Sequence, residues 1–474
     1  METFASIIDG KPVTSNKTFE VINPATGEVL GLVPESTGEQ VNQAVAAAKK
    51  AQPAWAALPD VERKAILMKM AEVLKENAEY LAQWITKEQG KPLAGPGSMF
   101  EMQACAAWTE VTASLDLPVE VVFEDETRRD ELHHKPIGVV GAISPWNWPL
   151  MIAIWQIMPS LRAGNTVVIK PSEYTPIGTL EMVRLLNTVL PPGVLNVVSG
   201  LGEVGSLLVS HPDVNKIMFT GSTATGKKII AASGGNMARL TLECGGNDPA
   251  IILPGTDIAS KAGDLFWGAF INMGQTCACA KRLYVHEDDY DVAVKALTEV
   301  AEQMPMGNGM EENILLGPIQ NRMQYDKVNA LVEDAKKQGA TVHRGGSPLG
   351  GDGYFYPITL IGGLDNGHRL VDEEQFGPVL PIIKYRDVEE AIAKANDSKN
   401  GLGASVWADD IEAAMAVASR IIAGTVWINQ HGAIHPMVPF GGVKESGYGV
   451  EFGIEGLKAT TQPQVISIKK AAAA

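Results

Sequence analysis

The sequence predicts an α/β fold in which a parallel sheet is covered by helices on both faces, followed by a second α/β unit and accompanied by a protruding pair of strands. Three patterns predict it. From Pro136 onward, short β-branched runs alternate with helical stretches across short loops, which argues for a doubly covered parallel sheet. Residues 285–428 repeat the alternation with apolar strands. Residues 117–136 instead alternate β-like and charged residues, such as Glu120-Val121-Val122-Phe123-Glu124, and are too polar for a core. The chain has 474 residues, 45% apolar and 20% charged, a globular composition with room for two to four domains at roughly 100–200 residues each.

Composition excludes several classes of function. A net charge of −16 with a pI near 5.0 repels a phosphate backbone or an anionic bilayer surface, so neither nucleic acid nor membrane is an expected partner. The opening residues lack a basic region followed by an apolar one, so no secretory signal is expected. The longest apolar run, 148–158, is interrupted by Gln156 and falls short of the roughly 18 residues a membrane span needs. Cys105, Cys244, Cys277 and Cys279 are too sparse for a disulfide framework and suit thiols in a reducing cytoplasm. The alanines at 471–474 look like an added remnant outside the fold.

Taken in order, residues 18–33 alternate around Asn23-Pro24-Ala25-Thr26-Gly27 and predict a hairpin. Thr37 and Gln40 form a capping box for a helix expected to end before Pro53. A second, long helix is expected from Asp60 to Gly90, with Ile66, Met70, Val73, Leu74 and Leu81 at helical spacing. This first section reads as scaffold without chemistry. The strands of 117–136 project from it, and their unpaired edges call for a covering strand, so oligomerisation competes with an ordinary surface hairpin. Residues 462–468 alternate like a strand that completes this hairpin across a subunit boundary.

The parallel sheet is predicted at 138–144, 166–170, 194–198 and 216–220, with helices starting near Leu150, Pro176, Glu203 and Gly226. Ligands in such sheets bind at the carboxyl ends of the strands, and three of these ends carry signals. Ser144-Pro145-Trp146-Asn147 places an amide past the first strand. Lys170-Pro171-Ser172-Glu173 places a lysine and a carboxylate past the second. Thr220-Gly221-Ser222-Thr223 opens toward Gly226 as a phosphate cradle at a helix start, although it is not the Gly-x-Gly-x-x-Gly fingerprint and an ordinary helix cap would look the same. Glu173 is placed to accept hydrogen bonds from ribose hydroxyls and to repel a 2′-phosphate, which favours NAD over NADP.

Two further residues are candidates for chemistry. Glu243 ends an apolar strand before Gly245-Gly246, where burial raises a carboxyl's pKa toward that of a general base near neutral pH; taken alone it would more often be a strand-end cap. Cys277 lies on the Gly274-Gln275-Thr276 turn between a helix-like run and the strand-like Arg282-Leu283-Tyr284-Val285. A thiol on a loop between rigid elements is a candidate nucleophile, whereas a lone cysteine is more often a small buried apolar residue.

Together, Pro145-Trp146-Asn147-Trp148-Pro149, Lys170-Pro171-Ser172-Glu173, Phe219-Thr220-Gly221-Ser222-Thr223, Leu242-Glu243-Cys244-Gly245-Gly246, Gly274-Gln275-Thr276-Cys277, Glu373-Glu374-Gln375-Phe376-Gly377-Pro378 and Pro439-Phe440-Gly441-Gly442 resemble, in order, the motif series of the aldehyde dehydrogenase superfamily. The resemblance runs from about residue 18 to the end. It implies a Rossmann-like cofactor domain at 1–117 and 135–243, an α/β catalytic domain at 244–448, and an oligomerisation arm with a C-terminal strand at 118–134 and 449–474. It also implies a homodimer or homotetramer.

The resemblance further implies that Cys277 attacks the aldehyde, that Asn147 and the Cys277 N–H hold the oxyanion, and that Glu243 activates the water that hydrolyses the thioester. Because Glu243 is present, hydrolysis is expected over acyl transfer to coenzyme A. Ser144, Pro145, Trp146, Lys170, Ser172, Glu173, Thr220, Gly221, Ser222, Glu374 and Phe376 would hold NAD. Trp148, Ile152, Trp155, Ile271, Thr276, Ala278, Ile434 and Phe440 would line the substrate tunnel. None of those eight is charged, which favours apolar medium-chain aliphatic or aromatic aldehydes over a charged semialdehyde, a reading that wants an Arg or Lys.

Departures are Asn247-Asp248, where many relatives have Lys-Ser, and Trp148, where many have Phe. Other readings remain open: a cofactor-independent cysteine hydrolase leaves the three strand ends unexplained, and a binding protein has no need of Cys277, Glu243 and Asn147 together. His431 and His435 are four apart, but Gly432 and Pro436 argue against a helix, so no metal site is expected. Cys279 and Cys244 are expected to pack, with a Cys277–Cys279 redox pair as the minority alternative.

Overall fold

The computed structural model describes residues 2–471, so Ala472 to Ala474 of the alanine tail lie outside the described residues. The N-terminal hairpin forms as expected, with Thr18–Ile22 antiparallel to Val29–Pro34. The Thr37 capping box is complete: Thr37 Oγ1 accepts from Gln40 N at 3.2 Å, and Gln40 Oε1 accepts from Thr37 N at 2.9 Å. The helix does not stop before Pro53 but runs Gly38–Ala57. An interior proline removes one donor and crowds the carbonyl four residues back, a cost that packing must offset. Here tertiary packing holds the last turn, because buried Trp55 donates its indole N–H to Leu161 O at 3.0 Å.

The single helix expected over 60–90 is two, Asp60–Glu76 and Ala78–Gln89. Asn77 separates them because its side-chain amide competes for the helix carbonyls, donating to Val73 O at 2.8 Å. Gly90 closes the second helix in the left-handed region, at φ 95°.

Five parallel strands form the centre of the first sheet, in the spatial order Arg239–Glu243, Lys216–Thr220, Val139–Ile143, Thr166–Lys170, Leu195–Val197. Both faces are covered, and every residue of Thr166–Lys170 and Lys216–Thr220 is buried. The chain winds to one side of Val139–Ile143 and then to the other, so the crevice at its carboxyl end is a topological switch point. Short antiparallel strands extend the sheet: Ser6–Ile8 and Lys11–Val13 beyond Leu195–Val197, and Gly447–Tyr448 beside Arg239–Glu243.

The helix after Lys216–Thr220 starts at Thr223 rather than near Gly226. Ser222 caps it by accepting from Thr225 N at 3.3 Å, and Gly226 lies one turn inside. There a Cβ would come within 2.9 Å of Cys244 Sγ, so this glycine serves close helix packing rather than the turn.

The chain crosses between Glu243 and Asp248 into a second sheet of seven strands, in which Asp248–Ile252 lies between Ala280–His286 and Gly403–Trp407, all parallel. The carboxyl end of one sheet therefore faces the amino ends of strands of the other across residues 244–247. The protruding hairpin pairs Glu120–Glu124 with Arg128–Pro136. Its third strand, Thr461–Lys469, comes from the same chain and not across a subunit boundary, pairing along all of Arg128–Pro136. The reason is proximity: the helix Gly453–Ala459 delivers Thr461 directly opposite Pro136. Among the described residues, no helix is long and apolar enough to cross a membrane.

Candidate active site

Cys277 is half-buried on a turn of unusual backbone. The helix Ile258–Phe270 ends in a 3₁₀ turn in which Asn272, Met273 and Gly274 have φ of 50°, 59° and 67°. Non-glycine residues in this region cost about 1–3 kcal/mol each and persist only where their surroundings over-determine them. Here a Cβ on Gly274 would lie 2.4 Å from Gly377 O, and Lys281 Nζ donates to Gly274 O. Gln275 is held at both ends, donating to Asn272 O at 3.1 Å and accepting from Gln320 N at 2.8 Å. Cys277 is thus displayed by a rigid turn just before the strand Ala280–His286.

The turn is tied to the loop carrying Asn147. Asn147 Nδ2 donates to Gln275 O at 3.0 Å, Asn272 Nδ2 donates to Asn147 O at 2.9 Å, and Trp148 Nε1 donates to Thr276 Oγ1 at 2.9 Å. Beneath that loop lies a buried ion pair absent from the sequence reading, in the section expected to be plain scaffold. Lys91 Nζ is 2.6 Å from Glu101 Oε2, donates to Asn147 O at 2.8 Å and sits 3.4 Å from the Trp148 ring centroid. Glu101 Oε1 accepts from Leu150 N and Met151 N at 2.9 and 3.1 Å, capping the helix Pro149–Arg162 that starts beside Asn147. Lys91→Met leaves the Glu101 carboxylate buried without its cation, and the expected cost is about 3–5 kcal/mol. A lowered urea midpoint at unchanged m-value reads it, and an unmoved midpoint refutes it.

Glu243 is buried at the end of its strand, and neither carboxylate oxygen has a hydrogen-bond partner. Burial, and then the like charge of Glu451, push its pKa well above the usual carboxylate range. Glu451, also missed from sequence, is itself pushed up to about 7 by burial. Burial pushes the Cys277 thiol up as well, followed by the negative charges of Glu243, Glu374 and Asp248. Cys279 is fully buried, and Cys244 packs against Gly226.

Cys277 opens onto an apolar cavity of about 720 Å³. All eight tunnel residues expected from sequence line it: Trp148, Ile152, Trp155, Ile271, Thr276, Ala278, Ile434 and Phe440. Phe100, Trp108 and Trp267 add aromatic wall, and Asp264 and residues 429–434 are lining residues of which the sequence reading named only Ile434 for this wall. No Lys or Arg is among the lining residues.

A second cavity, of about 580 Å³, lies at the switch point of the first sheet. It gathers Ser144, Pro145, Trp146, Lys170, Ser172, Glu173, Thr220, Gly221 and Ser222. Lys170 is buried with Nζ 3.7 Å from Glu173 Oε2, and the Ser144 hydroxyl is buried without a partner. Glu374 and Phe376 are not among the residues lining this crevice, and the Glu374 charge acts on the Cys277 thiol. Glu374 Oε1 accepts from Gly246 N at 3.0 Å, and the Phe376 ring meets the Trp146 ring edge-on at 5.3 Å.

The profile of the Aldehyde dehydrogenase family matches residues 12–466. Aldehyde dehydrogenase 1A1 of Homo sapiens is 38% identical over 96% of this chain and 92% of its own length. Phenylacetaldehyde dehydrogenase of Pseudomonas fluorescens is 38% identical over 96% and 93%. A solved NAD⁺ complex of an aldehyde dehydrogenase from Bacillus cereus superposes with a TM-score of 0.96 at 36% identity, covering 99% of this chain and 97% of that one. This full-length similarity establishes that the chain belongs to the aldehyde dehydrogenase family and is an oxidoreductase of the NAD type.

Proposed function

We propose that the protein oxidises apolar medium-chain aliphatic or aromatic aldehydes to carboxylic acids with NAD in preference to NADP. The observation that carries this reading is the position of Cys277: it opens onto an aromatic-walled tunnel without a lining cation, is tied to Asn147 through Gln275, and lies close enough to Glu243 for that charge to act on its thiol. An anionic semialdehyde would want an Arg or Lys on that wall.

The crevice suits a dinucleotide. The orphaned Ser144 hydroxyl offers a donor or acceptor, the Ser222-capped amino end of Thr223–Ser233 favours an anion, and Lys170 with Glu173 meets a ribose diol while Glu173 repels a 2′-phosphate. Glu374, whose charge acts on the thiol, and Phe376, packed on Trp146 of the crevice, are the residues for the nicotinamide ribose and ring. Bound nicotinamide would supply a hydride acceptor, so that a thiohemiacetal carried by Cys277 would be oxidised to the thioester level.

The protein's own groups do the rest. Cys277 supplies the nucleophile, the Asn147 amide and the Cys277 N–H stabilise the oxyanion, and Glu243 takes a proton from the hydrolytic water. Residues 1–117 with 135–243 act as the cofactor unit and 244–448 as the catalytic unit. The exposed Val121, Val122 and Phe123, with Val465, Ile466 and Ile468, form an arm for a second copy in a dimer or tetramer. Four free cysteines suit a reducing cytoplasm.

The test is formation of reduced nicotinamide with octanal, benzaldehyde and a short dicarboxylic semialdehyde, each with NAD and with NADP. Octanal and benzaldehyde with NAD are expected to give kcat/KM at least about tenfold above the semialdehyde or the NADP reactions. A semialdehyde preference sinks the substrate reading, and equal use of NADP sinks the cofactor reading.

A further inference from the structure

Two residues singled out in the sequence, the departure Asp248 and the unassigned His431, meet behind the tunnel wall. Their side chains are 1% and 0% exposed, and His431 Nε2 lies 3.4 Å from Asp248 Oδ2. Asp248 Oδ1 accepts from Gly403 N at 3.1 Å, while Asp248 Oδ2 and His431 Nε2, both buried and without another hydrogen-bond partner, face each other. A buried carboxylate with one backbone donor is costly unless a donor or cation completes it.

The far side of the ring is held by Ser405. Ser405 and Trp407 lie two apart on Gly403–Trp407 and so share a sheet face. Trp407 Nε1 donates to Ser405 Oγ at 2.8 Å, and Ser405 Oγ is 2.9 Å from His431 Nδ1. The serine oxygen accepts from the indole and keeps its proton free for Nδ1, and in that tautomer the ring carries its own proton on Nε2, facing Asp248.

The backbone around His431 forms the tunnel wall, since residues 429–434 all line the cavity. That segment has two left-handed positions, Asn429 at φ 53° and Gly432 at φ 70°, a conformation that needs external anchors. A Cβ on Gly432 would come within 2.8 Å of Ala278 O, next to the nucleophile, and one on Gly268 would come within 2.9 Å of His431 Cβ. The wall is therefore wedged between the Cys277 turn and the helix before it, with His431 as the wedge.

We propose that Asp248 and His431, oriented through Ser405, are positioning residues that anchor the 429–434 wall against the Cys277 turn and thereby set how tightly the aldehyde is held. The inference rests on the reading of the apolar cavity as the aldehyde's path.

The test is steady-state kinetics with benzaldehyde and NAD. His431→Asn and Asp248→Ala are expected to raise the benzaldehyde KM about tenfold while the NAD KM stays within about twofold. Asp248→Asn is expected to recover to within about threefold of wild type, because its amide donates to Nε2 once the ring takes the other tautomer and Nδ1–H donates to Ser405. Should a variant fail to fold, Ser405→Ala keeps both members of the pair and is expected to raise the benzaldehyde KM about threefold.

An unchanged benzaldehyde KM in His431→Asn or Ser405→Ala overturns the proposal. So does a parallel rise in both KM values, or an Asp248→Asn variant as impaired as Asp248→Ala. Ile434→Trp, which narrows the cavity, separates the two readings. If it moves the benzaldehyde KM and the pair variants do not, the anchoring role alone falls; if none of them moves it, the tunnel reading falls and the anchoring role with it.

Discussion

Cys277→Ala is expected to lower aldehyde turnover by a factor on the order of 10⁴ or more while dinucleotide affinity stays within about twofold. The activity loss follows from chemistry: alanine leaves no atom to bond the aldehyde carbon. The intact binding follows from architecture, because Lys170, Glu173 and Ser222 are held at the strand ends of the first sheet, while Cys277 is held by the turn before Ala280–His286. Fluorescence titration with NAD and a turnover assay on one preparation read both halves. Turnover near wild type removes Cys277 from the chemistry, and a large loss of NAD affinity ties the thiol to the crevice instead.

Glu243→Gln is expected to complete one hydride transfer and then stall, giving a burst of reduced nicotinamide equal to the enzyme present. The steady rate after it is expected to fall by about 10²–10⁴-fold. Glutamine keeps the size of the side chain and removes the base. Rapid-mixing absorbance reads the burst, and full multiple turnover rules out Glu243 as the hydrolytic base.

The pH dependence follows from the same site. Burial and Glu451 raise the Glu243 pKa, and a base works only when deprotonated. The wild-type hydrolytic step should therefore rise with pH through a midpoint above the usual carboxylate range, and Glu243→Gln should lose that limb.

Much of this was legible along the chain, and the failures have definable causes. The strands at 166–170 and 216–220 were found because β-branched runs between turn residues identify buried strands locally. The helix past Pro53 was missed because its end is held by Trp55 on Leu161, a contact between distant segments. The break at Asn77 was missed because periodicity continues across it while one amide redirects the backbone. The C-terminal strand was recognised by its alternation, but alternation does not say which chain it pairs with.

By itself, the sequence determined the parallel sheet and the order of its strand ends, and its motif series singled out Cys277, Glu243, Asn147 and the eight residues that line the cavity. Local periodicity specifies the strands without reference to distant parts of the chain, whereas the site residues come from the resemblance of the ordered motif series to a known family. Only the tertiary structure decided that Lys91 and Glu101 support the Asn147 loop, that Glu451 charges the surroundings of Glu243, and that Asp248 faces His431 behind the tunnel wall. The physical reason is that a buried charge is recognised by what completes it, and the completing group is brought there by the packing of loops, helices and strands against one another rather than by periodicity along the chain.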